Sequence, residues 1–328
     1  MAAQGWTSFG AAAVGEVVSH CATRAESDDK HPAVNAAGAG DRIYRALQQR
    51  AKATGRNTQE LFDLYLLEGF LVRLAASSHR EAFVLKGGVL LAAFGNRRPT
   101  RDVDLAAIDV SNESETILGL IREIVTVPAD DGLRFQLDSL TAEVIRDDSE
   151  YSGIRVSAKA TLSRAKLSFH VDVNVGDPIH PEPTTVAIPR LLDGDPVTVR
   201  GYPLPMVYAE KIVTAVQRGT ASTRWRDFGD IWTLTHHHPV AGSDLQEAIQ
   251  AVAIFRRATI IPLGEALDGY PLVGQAKWAA WRRRTDNRVL PEQFEAVVAT
   301  VVAFSDPALS GQVTGQVWDQ HQSSWVRG

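Results

Sequence analysis

Stretches with apolar residues at helical spacing alternate along this chain with stretches in which apolar and polar residues follow one another in turn. The helical spacing predicts one helix over 41–55 and a second that begins after Asn57, where Glu60 completes an N-terminal capping pattern. A third amphipathic helix is predicted over Glu113 to Val125. We expect these helices to pack behind a sheet.

Strand patterns are found at 83–86 and 102–105, and then at 140–145, 154–162 and 166–175. The last of them alternates most regularly and therefore presents two different faces. Its apolar face carries Phe169, Val171, Val173 and Val175, and its polar face carries Ser168, His170, Asp172 and Asn174.

The order of these patterns predicts an α/β (α+β) protein with a mixed-sheet core over 41–200 and a helical C-terminal domain over 201–328 that completes a cleft. Residues 1–40, with breakers such as Gly38 and Gly40, are interpreted as a loosely ordered arm. The proline-rich stretch 176–205 is interpreted as the connection to the helical part. Its acidic residues are interpreted as solvated loop charges, namely Asp177, Glu182, Asp193 and Asp195.

The amino-acid composition excludes several classes of protein function. The 328 residues are 45% hydrophobic and 22% charged, and no apolar run approaches the roughly 18 residues that cross a bilayer. The interrupting Glu16 argues against a secretory signal, so we expect a cytoplasmic protein without membrane contact. The single Cys21 excludes an intrachain disulfide framework. A net charge of −5 means that a nucleic-acid partner would need a local basic surface.

Candidate chemistry is concentrated between residues 83 and 105. Asp102 and Asp104 lie two apart on a predicted strand, so both carboxylates point the same way and suit Mg²⁺, or Mn²⁺ in its place. Gly87 and Gly88 follow a strand and open a helix, where backbone N–H groups can approach a triphosphate. The candidate nucleotide-binding set is Lys86, Gly87, Gly88, Thr100 and Arg101.

These motifs, with Glu210-Lys211 and Arg226-Asp227-x-x-Asp230 farther on, occur in the order found in one known family. Over about residues 41–290 the sequence resembles the AbiEii-like nucleotidyltransferase toxins, including the mycobacterial MenT group, in the DNA polymerase β-like superfamily. The resemblance implies a polymerase β-like nucleotidyltransferase core. One departure is Val89, where the family usually has a hydroxyl residue that contacts phosphate.

The resemblance also implies a third acidic strand position, and Asp172 fits it. A lone Asp on the polar face of a strand is more often a solvated side chain. Beside Asp102 and Asp104, however, we interpret Asp172 as a third metal ligand that helps to deprotonate the attacking hydroxyl. His170 is interpreted as structural.

Lys211 is the candidate that neutralises charge on the leaving pyrophosphate, although a lysine that extends along a packed helix is the commoner arrangement. By resemblance, Asp230 should face the cleft and orient Lys211 or the nucleotide, with Asp227 closer to a structural role. The three histidines 236–238 are interpreted as a polar helix end rather than as metal ligands.

Two segments combine cations with aromatic residues, at 255–257 and 277–284. They could contact an RNA acceptor end by stacking and phosphate binding, or they could be helices with buried tryptophans and solvated arginines. The sequence leaves both interpretations open.

The resemblance implies an Mg²⁺-dependent toxin that uses an NTP as substrate and transfers NMP to the 3′ end of tRNA, which would block aminoacylation and growth. It also implies a separately encoded antitoxin. Two alternatives remain open, a transferase that places NMP on protein and a catalytically silent nucleotide- or RNA-binding module.

Overall fold

One seven-stranded sheet forms the base of the N-terminal part of the chain. The structure is a computed structural model that describes residues 33–146, 152–285 and 287–328 of the chain. The strands of the sheet are β1 (Phe83–Lys86), β2 (Asp102–Ala107), β3 (Leu133–Arg146), β4 (Ser152–Leu162), β5 (Ala165–Val175), β6 (Thr184–Ile188) and β7 (Val197–Gly201). In space the order is β3-β4-β5-β2-β1-β7-β6. The pairs β2–β5 and β1–β7 are parallel and the others antiparallel, which confirms the predicted mixed sheet.

The sheet is covered on one side by helices from the start of the chain. These are α1 (Ala33–Thr54) and α2 (Thr58–Ala76), together with α4 (Ser114–Thr126), while the short α3 (Gly87–Leu90) follows β1 directly. Phe70 of α2 contacts Phe169 of β5 with ring centroids 5.6 Å apart. The helices therefore pack on the apolar face of β5, as predicted, and leave its polar face to the cleft.

Two details of the first helices differ from the predictions. The helix α1 begins at Ala33, so 33–40 belong to a helix and not to an arm; the rest of that predicted arm lies outside the described residues. Gly132 packs closely against this helix: its φ is 68°, and a Cβ at this position would lie only 2.5 Å from Cα of Gly40. Asn57 caps α2 as predicted, but Glu60 accepts a hydrogen bond from Arg56 instead of completing the capping box.

The interpretation of 176–205 as a connection is wrong. Its apolar residues form β6 and β7, and β7 joins the sheet beside β1, with Gly201 opposite Leu85. Tyr202 continues this contact by donating its N–H to the carbonyl of Leu85 at 2.9 Å. The segment therefore extends the sheet instead of leaving it.

The rest of the chain is mainly helical, as predicted. It contains α5 (Leu204–Arg218), α6 (Trp225–Thr235), α7 (Gly242–Phe255), α8 (Leu263–Ala266), α9 (Tyr270–Arg284) and α10 (Phe294–Leu309), with a small sheet of β8 (Val240–Ala241), β9 (Gln316–Asp319) and β10 (Ser324–Arg327). The division into an N-terminal core and a C-terminal domain stays a prediction. None of the described helices has both the length and the apolar character needed to span a bilayer.

Candidate active site

Three aspartates from neighbouring strands share one face of the sheet. On the parallel pair β2–β5, Asp104 lies opposite Asp172 and Asp102 lies opposite His170. Residues directly opposite one another in a sheet point to the same side, so Asp102, Asp104 and Asp172 face one way. Val103 between the two aspartates of β2 is fully buried on the other side. The structure thus places the three carboxylates predicted as metal ligands on one face of the sheet.

These carboxylates lie on one wall of a cleft of about 660 Å³. The opposite wall comes from α5, α6 and the end of α7, and it contributes Lys211, Asp227 and Arg256. A pocket of this size between a sheet and a helical region is typical of small-molecule sites. Together the two walls provide carboxylates for a metal ion and cations for a polyphosphate.

The glycine turn at the end of β1 fits closely around one of the carboxylates. Gly87 has a φ of 65°, and a Cβ at this position would lie only 1.9 Å from Oδ2 of Asp104. The N–H of Gly88 donates a hydrogen bond to the Asp104 carboxylate, and a Cβ on Gly88 would lie 2.8 Å from Oγ1 of Thr100. Both glycines are therefore required for Asp104 and Thr100 to approach the turn, and Thr100 reaches the cleft.

Val89 follows the two glycines but points away from the cleft. Its side chain is only 8% exposed and belongs to the hydrophobic core. It lines a small cavity whose walls are mainly apolar, with Arg98 and Thr100 among the residues around it. The hydroxyl that lies beside the turn belongs instead to Thr100.

The environment of Asp104 raises its pKa from 3.8 to about 6. Burial is the main cause, and the negative charges of Asp172 and Asp102 add to it, while Lys86 opposes the rise. A divalent cation among these oxygens would relieve the repulsion.

Lys86 is present at the site, but its ammonium already has two protein partners. It bonds the carboxylate of Asp177 and lies 3.5 Å from Oε1 of Glu210. Burial disfavours the ammonium, but the two carboxylates outweigh this and raise the pKa of Lys86. The interpretation of Asp177 as a solvated loop charge is wrong, because Gly176 (φ 84°) turns the chain just after β5 and brings Asp177 back to Lys86.

Lys211 donates to two carboxylates of α6, to Oδ1 of Asp227 at 2.7 Å and to Oδ2 of Asp230 at 2.9 Å. Asp230 is 3% exposed and also accepts from Nε of Arg98 at 3.1 Å. Asp230 therefore orients Lys211, as predicted, but Asp227 lines the cleft and Asp230 does not.

Among the cleft arginines, Arg155 was missed in the sequence, whereas Arg256 belongs to the segment 255–257 that was singled out there. Arg155 of β4 donates from Nε and Nη2 to the two oxygens of Asp172, each at 2.7 Å. Arg256 donates to Thr214 at 2.7 Å and lies 3.6 Å from Glu210. The two-residue turn after Leu162 fixes the β4–β5 register and places Arg155 opposite Asp172. This hairpin pattern was the feature of the sequence from which the pairing of Arg155 with Asp172 could have been predicted.

Other candidates lie elsewhere. Arg101 is exposed, and its charge acts on Asp63 of α2 instead of the cleft, because alternation turns it away from Thr100 and Asp102.

Trp278 and Trp281 are buried, so the stacking interpretation of segment 277–284 is wrong. The three histidines each donate a ring N–H to a backbone carbonyl, those of Trp232, Thr233 and Phe94, consistent with a polar helix end.

The carboxylates suit a hard cation, since Mg²⁺ prefers oxygen ligands and is usually held by one or two carboxylates plus substrate phosphates. Over 33–146, 152–285 and 287–328, no three acidic or histidine side chains already converge as a metal cluster. Asp172 is instead bonded by Arg155, and Asp104 accepts from the N–H of Gly88. Asp102, Asp104 and Asp172 are the residues that would hold the ion.

The sheet, the carboxylate face and the cation-bearing helices define the class of nucleotidyltransferases. The family model described as nucleotidyl transferase AbiEii toxin, type IV toxin–antitoxin system, matches residues 69–306. The chain belongs to this family. It is thus a nucleotidyltransferase toxin of the type IV systems, and membership implies an antitoxin as a separate partner.

Two solved structures are similar at a more distant level. JHP933 from Helicobacter pylori is 16% identical, with 78% of this chain and 95% of that chain covered and a TM-score of 0.47. MenT4, a nucleotidyltransferase toxin from Mycobacterium tuberculosis H37Rv, is 17% identical, with 82% and 99% covered and a TM-score of 0.49. No curated protein matches the sequence.

Proposed function

We propose that the protein is a Mg²⁺-dependent enzyme that transfers NMP from an NTP to the 3′ end of tRNA, and so blocks aminoacylation and growth. The observation that carries the transfer chemistry is the register of β2 and β5. It puts Asp104 opposite Asp172, with Asp102 on the same face, at the wall of the 660 Å³ cleft. Three carboxylates on rigid strands are well suited to holding a catalytic cation at a polyphosphate.

Each side chain has a distinct part in this proposal. Asp102, Asp104 and Asp172 would hold Mg²⁺, which when bound neutralises phosphate charge and makes the attacking hydroxyl more acidic. A carboxylate oxygen of Asp172 takes the proton of the acceptor hydroxyl. At the same time the oxygen of that hydroxyl bonds to the α-phosphorus of the NTP, and pyrophosphate leaves. Lys211 faces the growing negative charge on the leaving group, and Asp227 and Asp230 fix its position.

The nucleotide is positioned by the glycine turn and its surroundings. Gly87 and Gly88 leave room for phosphate oxygens near the backbone, and Thr100 supplies a hydroxyl beside the turn. Lys86 adds a positive charge to this nucleotide site while its ammonium stays paired with Asp177. Arg101 has no place in this set, because it does not line the cleft.

An RNA acceptor is favoured by the charge of the helical wall. Although the whole chain carries a net charge of −5, Arg224, Arg226 and Arg256 all line the cleft. Arginine side chains are common phosphate ligands, so these residues provide a local basic surface for the sugar-phosphate end of a tRNA. Family membership supports the same acceptor through the resemblance of the motifs.

The proposal is tested by incubating the purified protein with each of four labelled NTPs, Mg²⁺, total tRNA and cell protein. We expect label at the 3′ end of RNA, lost with EDTA and with Asp104→Asn. Asp193→Asn is the matched control, since this carboxylate lies exposed in a loop. Label found only in protein would establish the alternative protein acceptor, and an absence of label in both would leave a silent binding module.

A further inference from the structure

The most tightly bonded carboxylate of the proposed metal site is held by an arginine of the same sheet. Arg155 lies directly opposite Asp172 in the β4–β5 register. Its Nε reaches Oδ1 and its Nη2 reaches Oδ2, each at 2.7 Å. This is the bidentate geometry in which a guanidinium and a carboxylate match best.

No other cation of the described residues bonds a carboxylate of this set. Lys86 uses its ammonium on Asp177 and Glu210, and Lys211 uses its own on Asp227 and Asp230. Among the described residues, Arg155 therefore supplies the one bonded positive charge at a place where Asp102, Asp104 and Asp172 gather three negative charges. A metal ion at Asp172 and the guanidinium compete for the same two oxygens.

We propose that Arg155 is the internal counter-ion of the cation site, which occupies Asp172 when metal and nucleotide are absent and must leave it for a divalent cation to bind. This inference rests on the proposed function for the metal requirement. Arg155 is a positioning residue in this account, since it acts on the metal through Asp172.

The surroundings of Arg155 allow the exchange. Its side chain is 31% exposed and lines the cleft, so it can rotate towards the space that a triphosphate would fill. Phosphate oxygens accept the same bidentate hydrogen bonds as a carboxylate, so the nucleotide offers the guanidinium a replacement partner. Binding of nucleotide frees Asp172, and by linkage the cation and the nucleotide strengthen each other's binding.

The test measures Mn²⁺ binding to the full chain by electron paramagnetic resonance, without nucleotide. We expect Arg155→Gln to bind Mn²⁺ about tenfold or more tightly than the unaltered protein, because the competing charge-assisted bonds are gone. Arg155→Lys keeps the charge but loses the bidentate contact, so its affinity should lie between the two. Addition of a non-hydrolysable NTP should tighten Mn²⁺ binding more in the unaltered protein than in Arg155→Gln.

Arg256→Gln is the matched control. It removes one positive charge from the same cleft, but its guanidinium bonds Thr214 and pairs with Glu210 instead of Asp172. An equal gain in Arg155→Gln and Arg256→Gln would show a general charge effect and overturn the inference. Unchanged affinity in both Arg155 variants, with their circular dichroism intact, would overturn it as well.

The outcome separates this inference from the proposed function. Tighter Mn²⁺ binding by Arg155→Gln in a protein that labels no acceptor would support the counter-ion role and refute the transferase proposal. Acceptor labelling by the unaltered protein, with no gain in Mn²⁺ affinity at Arg155→Gln, would refute the counter-ion role alone.

Discussion

Lys86 and Asp177 form a buried ion pair between residues 91 positions apart in the chain, with side chains 10% and 11% exposed. Lys86 ends β1, and Asp177 follows the turn after β5. Glu210 of α5 adds a second carboxylate to the same ammonium. One lysine thus joins the sheet, the turn beyond it and the first helix of the C-terminal part.

We expect Asp177→Ala to lower the free energy of unfolding by about 2–4 kcal/mol, since it leaves the Lys86 ammonium buried with only the longer contact to Glu210. Nucleotidyl transfer should also fall. Urea denaturation measures the stability change. Asp193→Ala, at an exposed loop position, should change stability by less than about 0.5 kcal/mol. Equal effects of the two substitutions would contradict a structural role for Asp177.

The raised pKa of Asp104 makes stability depend on pH. The group titrates at 3.8 when unfolded and at about 6 when folded, so the folded protein binds the extra proton between these values. The stability that this proton provides is complete below the lower pKa and is lost as the pH rises through the upper one. In metal-free protein, Asp104→Asn should therefore raise the unfolding free energy near neutral pH by about 1–3 kcal/mol.

Denaturation curves of both proteins without metal at several pH values check this result. The difference between Asp104→Asn and the unaltered protein should shrink towards zero as the pH falls to about 4. A difference that stays constant across this range would show that Asp104 titrates at its ordinary value.

Asp102→Ala should abolish both labelled transfer and the growth inhibition caused by expression of the protein. The substitution removes one of the carboxylates that would hold Mg²⁺ while leaving Val103 and the β2–β5 pairing in place. Growth in liquid culture after induction measures the effect, with the amount of protein checked in each strain. Persistent inhibition by Asp102→Ala would favour the silent binding module.

The two aspartates that hold Lys211 should differ in their effects. Asp230→Ala leaves Lys211 and Arg98 without this buried partner, so we expect a loss of about 3–5 kcal/mol in unfolding free energy. Asp227 is more exposed, at 16% against 3%, so Asp227→Ala should be milder for stability while still lowering transfer. Denaturation together with single-turnover kinetics compares the two, and the reverse ranking of stability would contradict the observed burial.

Val89→Ser should weaken the fold without improving nucleotide binding, because the side chain at this position points into the core. Burying a hydroxyl there should cost about 1–3 kcal/mol. Val144→Ser is the control, since Val144 is 57% exposed on β3. Fluorescence titration with a labelled nucleotide gives the affinity. Tighter nucleotide binding by Val89→Ser would mean that this side chain does reach the phosphates.

Local patterns predicted the elements that carry the carboxylates. Alternation along β2 and β5 assigns Asp102, Asp104 and Asp172 to the polar face, because the side-chain period of a strand is two residues. Helical spacing likewise placed Lys211 on α5, whose apolar residues are buried. In these cases the decisive information lies within about ten neighbouring residues.

The partners of the charged groups could not be read in the same way. Asp177 meets Lys86, and Asp230 meets Arg98, only through the packing of segments distant in sequence. The parallel contact of Leu85 with Gly201 has no local signal either, since parallel strands are joined by long connections. Arg155 is the exception, because a tight hairpin determines its opposite residue.

The ion pairs that join the two walls of the cleft should respond to ionic strength differently from the binding of a nucleic acid. Lys86 with Glu210 and Arg98 with Asp230 cross from the sheet side to the helices and are largely shielded from solvent. Dissolved salt screens such pairs weakly but strongly weakens the association of a protein with a polyanion. Added salt should therefore slow the capture of a nucleic acid while the spacing of the catalytic groups stays constant, so activity lost to salt returns on dilution.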